Sequence, residues 1–529
     1  MLLLAACLLF TANPALPSVA RADDAALSSA SPRVEKSLAG LSAEVILGEA
    51  AVPPSEETEI HILLRFRAPE DSRSPERPPL SLALVIDRSG SMADAKKLDY
   101  AIRAGKEAVR LLGPKDSLAL IQYDDKVQVL FPLAPLKDKS VLNRLLDGLT
   151  PGETTFLSGG LEAGIAQLRK DRSGNLKRVL LLSDGLANRG VTDAGRVAAM
   201  GASARDKGIS VSSMGLGLDY DETLMQGLAQ RGGGQYSYIR DSEDLPAFFR
   251  QELALASASV TRGFRLIFIP DFALSEIKSY GYVATPADVG LAVEMGDFYA
   301  GEERQVLLKV KVRPGAGPVQ ALGAVRLEFA LAEGSPAQTL ELPLAVAVVP
   351  DEAERKAQNS AAEAVTGPVQ EEALLLAAKE AQVLAAEELQ KGDLDKARTV
   401  LRQAAASLAQ AAPHSPKAAN AMASLAEDEE KAEEAVSNPR LQQEMAKSSK
   451  YSLYKSSQGK DQTLLLQPGD KGALVEKLQR RLAEKGLYSG PVDGVYSEDL
   501  ARAVQTFQSG NGLDADGIAG RLTQRALGM

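Results

Sequence analysis

The chain of 529 residues has no tryptophan, one cysteine (Cys7) and two histidines (His61 and His414). A lone cysteine excludes an intramolecular disulfide, and two histidines in unrelated segments leave a His/Cys zinc centre almost without ligands. Basic residues are not in excess: 60 Lys and Arg stand against 70 Asp and Glu, a formal charge of -10. Without a local basic excess there is no phosphate-binding surface and no nucleic acid partner is expected. Long apolar runs are missing after the first segment, so no later stretch is fit to span a bilayer. What remains is a globular composition, 45% hydrophobic, at a length that one core does not usually fill. Several domains are expected, on the order of three to five.

The N-terminus is the apolar exception. MLLLAACLLF is broken by Pro14 and Pro17, and Ala20, Arg21 and Ala22 precede Asp23. An A-x-A site after a short apolar stretch reads as an export signal over residues 1–22, cleaved before Asp23. No Lys or Arg precedes the run, so either the signal is atypical or the true start lies upstream. LAAC at 4–7 resembles a lipoprotein box, which makes lipid on Cys7 the alternative, although the apolar run continues past it.

Changes of period divide the rest. Residues 33–79 form an N-terminal β segment, weakly alternating, that ends in a Pro- and Ser-rich loop. Residues 80–256 alternate apolar strands (LALVID, SLALIQY, VQVLF, RVLLLSD, ISVSSMGLG, QYSYI) with amphipathic helices, the last over 243–256. This pattern predicts a doubly wound, Rossmann-like α/β domain with a mostly parallel sheet. Residues 257–350 read as strands of a small β-sandwich, completed by strands from 41 to 67. Residues 351–445 are rich in Ala, Glu, Lys and Leu, with a turn at KGDLDKA; they are similar to one tetratricopeptide unit and are expected to form an α-helical hairpin spacer. Residues 446–463 read as a polar linker, and 464–529 as a small three-helix domain.

Within the α/β region, LALVIDRSGSM (82–92) is an apolar strand ending in Asp87, Ser89 and Ser91. Such residues are also ordinary turn formers. In an open α/β sheet, however, ligands bind beyond the carboxyl ends of the strands, where GETTFLSGGL (152–161) and LLLSDG (180–185) should meet them. Three oxygen clusters at one edge suit a hard cation. The set resembles the von Willebrand factor type A domain and its metal-ion-dependent adhesion site. The D-x-S-x-S motif is met by Asp87, Ser89 and Ser91, the threonine loop by Thr155 (Thr154 if the register is off by one) and the second aspartate by Asp184. The resemblance implies Mg²⁺, or another divalent cation such as Ca²⁺ or Mn²⁺. It also implies direct ligation by the hydroxyls, an aspartate acting through water, and a protein ligand that offers a carboxylate to the open position. No obvious general base or nucleophile lies beside the motif, so an enzyme is not expected.

The C-terminal segment repeats itself: Gln479, Gly486, Asp493 and Gly494 are echoed by Gln508, Gly512, Asp516 and Gly517. With Val475, Leu478, Leu482, Ala503, Val504 and Phe507, this pattern is similar to the three-helix peptidoglycan-binding domain of bacterial cell-wall enzymes. Because tryptophan is missing, a sugar platform must come from Tyr488 or Tyr496, although each also suits a structural place; with Asp493 and Asp516 they are the candidate peptidoglycan-binding residues. The expected protein is an exported bacterial cell-envelope adaptor, in the periplasm or cell wall, that binds a protein partner through a cation and anchors to peptidoglycan. The alternative is a subunit, catalytic or not, of a peptidoglycan-remodelling enzyme assembly.

Overall fold

The computed structural model describes residues 31–69, 79–239, 249, 259–271, 274–282, 284–299, 302–331, 336–457, 465–466, 468–470, 473–511, 513, 515 and 517–529. The expected export signal with Cys7 lies outside the described residues, as does the expected helix at 243–256 apart from Phe249.

Four strands come first: β1 (Arg33–Leu38), β2 (Leu41–Leu47), β3 (Ala51–Val52) and β4 (Thr58–Arg67). The period then changes. β5 (Leu80–Asp87) is buried at every residue, and β6 (Ser117–Tyr123), β8 (Leu176–Ser183), β9 (Ile209–Leu216) and β10 (Gly233–Ile239) are nearly so. Strands covered on both faces read as continuous apolar runs because helices pack above and below them. With the half-exposed edge strand β7 (Val127–Pro135) they form one sheet, order β10-β9-β8-β5-β6-β7. All neighbours are parallel except β6 and β7. Crossover helices are α1 (Lys97–Leu111), α2 (Lys139–Asp147), α3 (Leu157–Leu168), α4 (Ala194–Arg205) and α5 (Glu222–Arg231). Leu82, Leu84 and Ile86 of β5 join the core under α1 and α2, whereas Ala83 and Val85 join the one under α3, α4 and α5. Chain order runs one way from β5 to β6 and the other way from β8 to β10, so the sheet's switch point lies between β5 and β8.

The sandwich is assembled from both sides of this domain. β11 (Ser259–Pro270), β12 (Leu274–Ser279), β13 (Ala284–Ala287), β14 (Gly290–Tyr299), β15 (Glu303–Val312), β16 (Val319–Ala330) and β17 (Gln338–Val348) follow it. One sheet runs β1-β2-β4-β15-β12 and the other β13-β14-β11-β16-β17-β3. β4 pairs with β15 from Thr58 opposite Val312 to Arg67 opposite Glu303. Phe66 meets Phe264 across the core at 5.2 Å between ring centroids. The early strands therefore complete the later sheets, and the α/β domain is an insertion between them.

The helical region departs from a hairpin spacer. It contains α6 (Glu352–Ala361), α7 (Glu363–Gln390), α8 (Leu394–Leu408), α9 (Pro416–Ser437) and α10 (Pro439–Ser457). α7, α8, α9 and α10 share a core that includes Leu389, Leu401, Leu425 and Met445. α7 also packs Val369 and Leu376 on Ile46, Leu63 and Leu307 of the sandwich. The expected linker at 446–463 is helical as far as Ser457. Its tyrosines are the reason: Tyr451 and Tyr454 stand edge-on to Tyr236 of β10 at 5.7 and 5.6 Å, and Lys447 donates to Tyr220 O and to Glu222. A segment polar in composition is thus amphipathic in three dimensions.

At the C-terminus, α11 (Ala473–Glu484), α12 (Glu498–Gly510) and α13 (Arg521–Ala526) close around Val475, Leu478, Leu482, Tyr496, Val504 and Phe507. A two-residue strand pair, β18 (Leu465–Leu466) with β19 (Ala519–Gly520), ties the ends. The internal echo has a physical form. Gln479 accepts from Gly494 N at 2.9 Å and donates to Val495 O at 3.0 Å. Gln508 accepts from Gly517 N and donates to Ile518 O, both at 2.9 Å. Gly494 and Gly517 hold φ of 72° and 75°, a left-handed turn that favours glycine. Among the described residues no helix is long and apolar enough to cross a membrane.

Candidate metal centre

β5 and β8 end side by side at the switch point: β5 ends on Asp87, and Asp184 directly follows the last residue of β8, Ser183. Asp87 is fully buried. Its Oδ1 accepts from Ser89 N at 2.8 Å and its Oδ2 from Ser183 Oγ at 2.6 Å. Burial pushes the Asp87 carboxyl up to about 6, against the opposing pull of the hydrogen bonds from Ser183 and Ser89. Ser91 lies on the 3-10 turn Gly90–Lys96 that leads into α1. Its Oγ is 3.3 Å from Ser89 Oγ and donates to Asp184 Oδ1 at 2.8 Å.

Thr155 arrives from the loop before α3. Its N–H donates to Asn188 Oδ1 at 2.9 Å, and Asn188 N returns a bond to Thr155 O at 3.2 Å. The loop is stitched to the first motif: Gly152 N donates to Arg88 O at 2.6 Å and Gly90 N to Glu153 O at 2.9 Å. Arg88 pairs with Asp124, whose carboxylate fills the space a side chain at Gly152 would need. These links select the register, since Thr155 is buried and Thr154 is exposed.

Whether the oxygens meet can be tested at Gly185. A Cβ placed there would lie 3.0 Å from Thr155 Oγ1, 3.5 Å from Ser91 Oγ and 3.8 Å from Ser89 Oγ. Three hydroxyls therefore converge on one region of space, with the buried carboxylates of Asp87 and Asp184 behind them. Among the described residues no group of three or more His, Cys, Asp or Glu side chains is placed to hold a metal. Any cation here would draw on neutral hydroxyl oxygens, and hard oxygens of this kind fit Mg²⁺, which needs few protein ligands because it keeps several waters. Ser89, Ser91 and Thr155 would hold the ion, with Asp87 and Asp184 supplying negative charge. A bound cation would contribute a Lewis-acidic position for an anionic oxygen.

Three residues of the centre escape the sequence reading. Ser183 anchors Asp87, Asn188 anchors Thr155, and Lys97 donates to Asp184 Oδ2 at 2.7 Å. Helical period carries a signal only for the last: Lys97 falls in step with Ala101, Ala104 and Ala108, the buried face of α1.

The sugar platform expected at the C-terminus does not form from its tyrosines. Tyr488 is buried and donates to Pro491 O at 3.2 Å; Tyr496 is buried and donates to Gly517 O at 3.0 Å. Asp493 accepts from Gln479 Nε2 at 2.9 Å and from Val495 N at 3.0 Å, which closes a turn and lowers its pKa. All three are core and turn residues, as apolar rings with a polar tip commonly are when the tip finds a carbonyl. Asp516 lies outside the described residues.

Comparison with known proteins fits this geometry. Residues 81–251 match the family model of the von Willebrand factor type A domain, and residues 471–527 match the "Putative peptidoglycan binding domain". The chain thus carries a von Willebrand factor type A domain and, at its C-terminus, a domain of the second family. An uncharacterized protein of Synechocystis sp. is 24% identical over 363 residues, 66% of this chain and 83% of that protein. A spore cortex-lytic enzyme of Bacillus cereus is 41% identical over 63 residues, 12% of this chain and 24% of the enzyme. A solved von Willebrand factor type A protein from Catenulispora acidiphila has a TM-score of 0.54 at 18% identity, covering 73% of this chain and 91% of its own. At that identity the likeness concerns the fold, and its span exceeds the α/β domain.

Proposed function

We propose that the protein is a cell-envelope adaptor. Its α/β domain captures a carboxylate of a protein partner through a divalent cation held at Ser89, Ser91 and Thr155 in front of Asp87 and Asp184, and its C-terminal domain holds peptidoglycan. The observation that carries the reading is the convergence of three hydroxyls beside Gly185, backed by two buried carboxylates, in a chain that also carries a domain of the peptidoglycan-binding family. Neutral hydroxyls leave a bound dication electron-poor, so a partner's carboxylate is a strong incoming ligand. The C-terminal family supports a place in the cell envelope, which this reading takes to be the periplasm or cell wall.

The test uses the whole protein on isolated sacculi, incubated with envelope extract in Mg²⁺ or EDTA. The wild type stays on the wall in both and recruits protein only in Mg²⁺; Asp87→Ala stays on the wall and recruits none. Loss of wall binding in Asp87→Ala, or recruitment unaffected by EDTA, would refute the adaptor. A second reading draws on the C-terminal likeness to a spore cortex-lytic enzyme: the chain would be a subunit delivered to a wall-remodelling assembly. Soluble fragments released from sacculi by the recruited complex would favour it.

A further inference from the structure

Lys97 is a cation built into the centre. The 3-10 turn ends on Lys96 at φ 57°, in the left-handed region, and α1 begins at the next residue with its side chain turned inward. Lys97 is only 7% exposed. Its Nζ lies 2.7 Å from Asp184 Oδ2 and 4.0 Å from Asp219 Oδ2, the latter on an exposed side chain. Gly217 leaves room for the lysine stem, since a Cβ there would lie 3.3 Å from Lys97 Cε. A buried ammonium is costly unless it is paired, and Asp184 is the buried partner. Both Asp184 oxygens are therefore engaged, one by Lys97 and one by Ser91.

We propose that Lys97 sets the charge of the metal centre, satisfying Asp184 when no cation is bound and leaving the cation-loaded centre one charge positive, ready for an anionic oxygen. The inference rests on the cation-binding reading above and names the residue that governs affinity there. Of the buried groups, Asp87 and Asp184 carry two negative charges and Lys97 reduces their sum to one; Asp219, at 4.0 Å and exposed, is screened by water and adds little to the buried sum. A dication then brings the centre to plus one, whereas without Lys97 it would reach zero and have no electrostatic demand for a carboxylate. Like charges repel strongly in a site shielded from water, so the same lysine weakens cation binding in the absence of a partner. Cation and acidic partner would then bind as a coupled pair.

Mg²⁺ and Mn²⁺ are titrated calorimetrically at neutral pH into the whole protein and into Lys97→Met, Lys97→Gln and Lys97→Arg. The wild type and Lys97→Arg should bind alike, while both neutral variants bind each cation at least roughly tenfold tighter. Melting without metal gives a second readout: the neutral variants, with Asp184 unpaired, melt lower and gain more from saturating Mg²⁺ than the wild type. If the wild type binds and the folded neutral variants bind no tighter, the role of Lys97 is overturned and the adaptor stands. If only the neutral variants bind the cation alone, the role of Lys97 stands and the titration of the wild type is repeated in acetate, whose carboxylate replaces the partner's; no Mg²⁺ uptake there overturns the adaptor. Absence of binding in all four overturns both.

Discussion

Glu222→Gln should loosen α10 from the α/β domain. Glu222 opens α5, and its carboxylate accepts from Lys447 Nζ at 2.9 Å and from Lys450 Nζ at 2.8 Å. Burial alone would raise its pKa, but the two ammonium groups outweigh burial and hold the carboxyl at about 2. Against an ordinary glutamate near ~4.3, the shift of about two units corresponds to about 3 kcal/mol. Partial exposure and the ordering of two lysine stems reduce this to about 2 kcal/mol. That is roughly 30-fold in the local docking equilibrium. Hydrogen exchange of the α10 amides between Lys447 and Tyr454 measures it directly, since local opening is read residue by residue. The pH dependence has a fixed sign. A carboxyl whose pKa is depressed on folding stabilises above its unfolded value, and that stabilisation is lost as pH falls through the folded value. Protection of α10 should therefore decline between about pH 4.5 and pH 2 in the wild type, and this acid-dependent loss should be absent in Glu222→Gln. Equal protection in the two proteins at neutral pH would refute the reasoning.

Other outcomes follow from the same contacts. Ser89→Ala, Ser91→Ala and Thr155→Ala should each weaken Mg²⁺ binding by calorimetry, because each removes one of few protein ligands; unchanged affinity in all three removes the site. Gly185→Ala places a methyl 3.0 Å from Thr155 Oγ1 and should abolish cation binding with an unaltered far-ultraviolet dichroism spectrum. Gln479→Ala strands Gly494 N and Val495 O and should cost about 1–3 kcal/mol in the C-terminal domain, seen as an earlier urea transition of its amide resonances. Mass spectrometry of exported protein should find Asp23 at the mature N-terminus, and lipid on Cys7 would contradict it.

The α/β domain is legible in sequence because its central strands are apolar on both faces and its helices keep a separate period. β5 through β10 all fall on runs that stand out without a structure. The oxygen-bearing residues are legible for a related reason: the sheet's switch point gathers the ends of β5 and β8, so Asp87 and Asp184 share an edge although 96 residues separate Asp87 from Ser183 beside Asp184. Ser183, Asn188 and Lys97 are ordinary residues whose roles arise only when distant loops meet. Composition fails elsewhere. SSKYSLYKSS looks solvated because serine and lysine dominate, yet Tyr451 and Tyr454, three positions apart, lie on one helical face and find Tyr236. Tyr488 and Tyr496 fail in the opposite sense, since an aromatic ring needed for the core carries the same letter as one that stacks on a sugar.

The docking of α10 changes what the helical region can do for an adaptor. A free hairpin between head and anchor would set reach and effective concentration, and shortening it would alter avidity without touching either affinity. Here α7 is packed on the sandwich through Val369 and Leu376, and α10 is clamped to α5 through Lys447 and Lys450. Cutting out α8 and α9 would open the shared core around Leu401 and Leu425 and unseat both attachments, instead of shortening a tether. Reach must come from another part of the chain. Between Ser457 at the end of α10 and Leu465 in β18, covalent geometry allows at most about 28 Å. The C-terminal domain meets the rest of the chain in two places: its last helix, α13, packs on α9, and the chain joins it through the last turn of α10, where Gln305 of the sandwich donates to Ser456 O. If the adaptor reading holds, the α9–α13 contact and the last turn of α10 together, more than the length of the helical region, set how firmly the two ends act as one body.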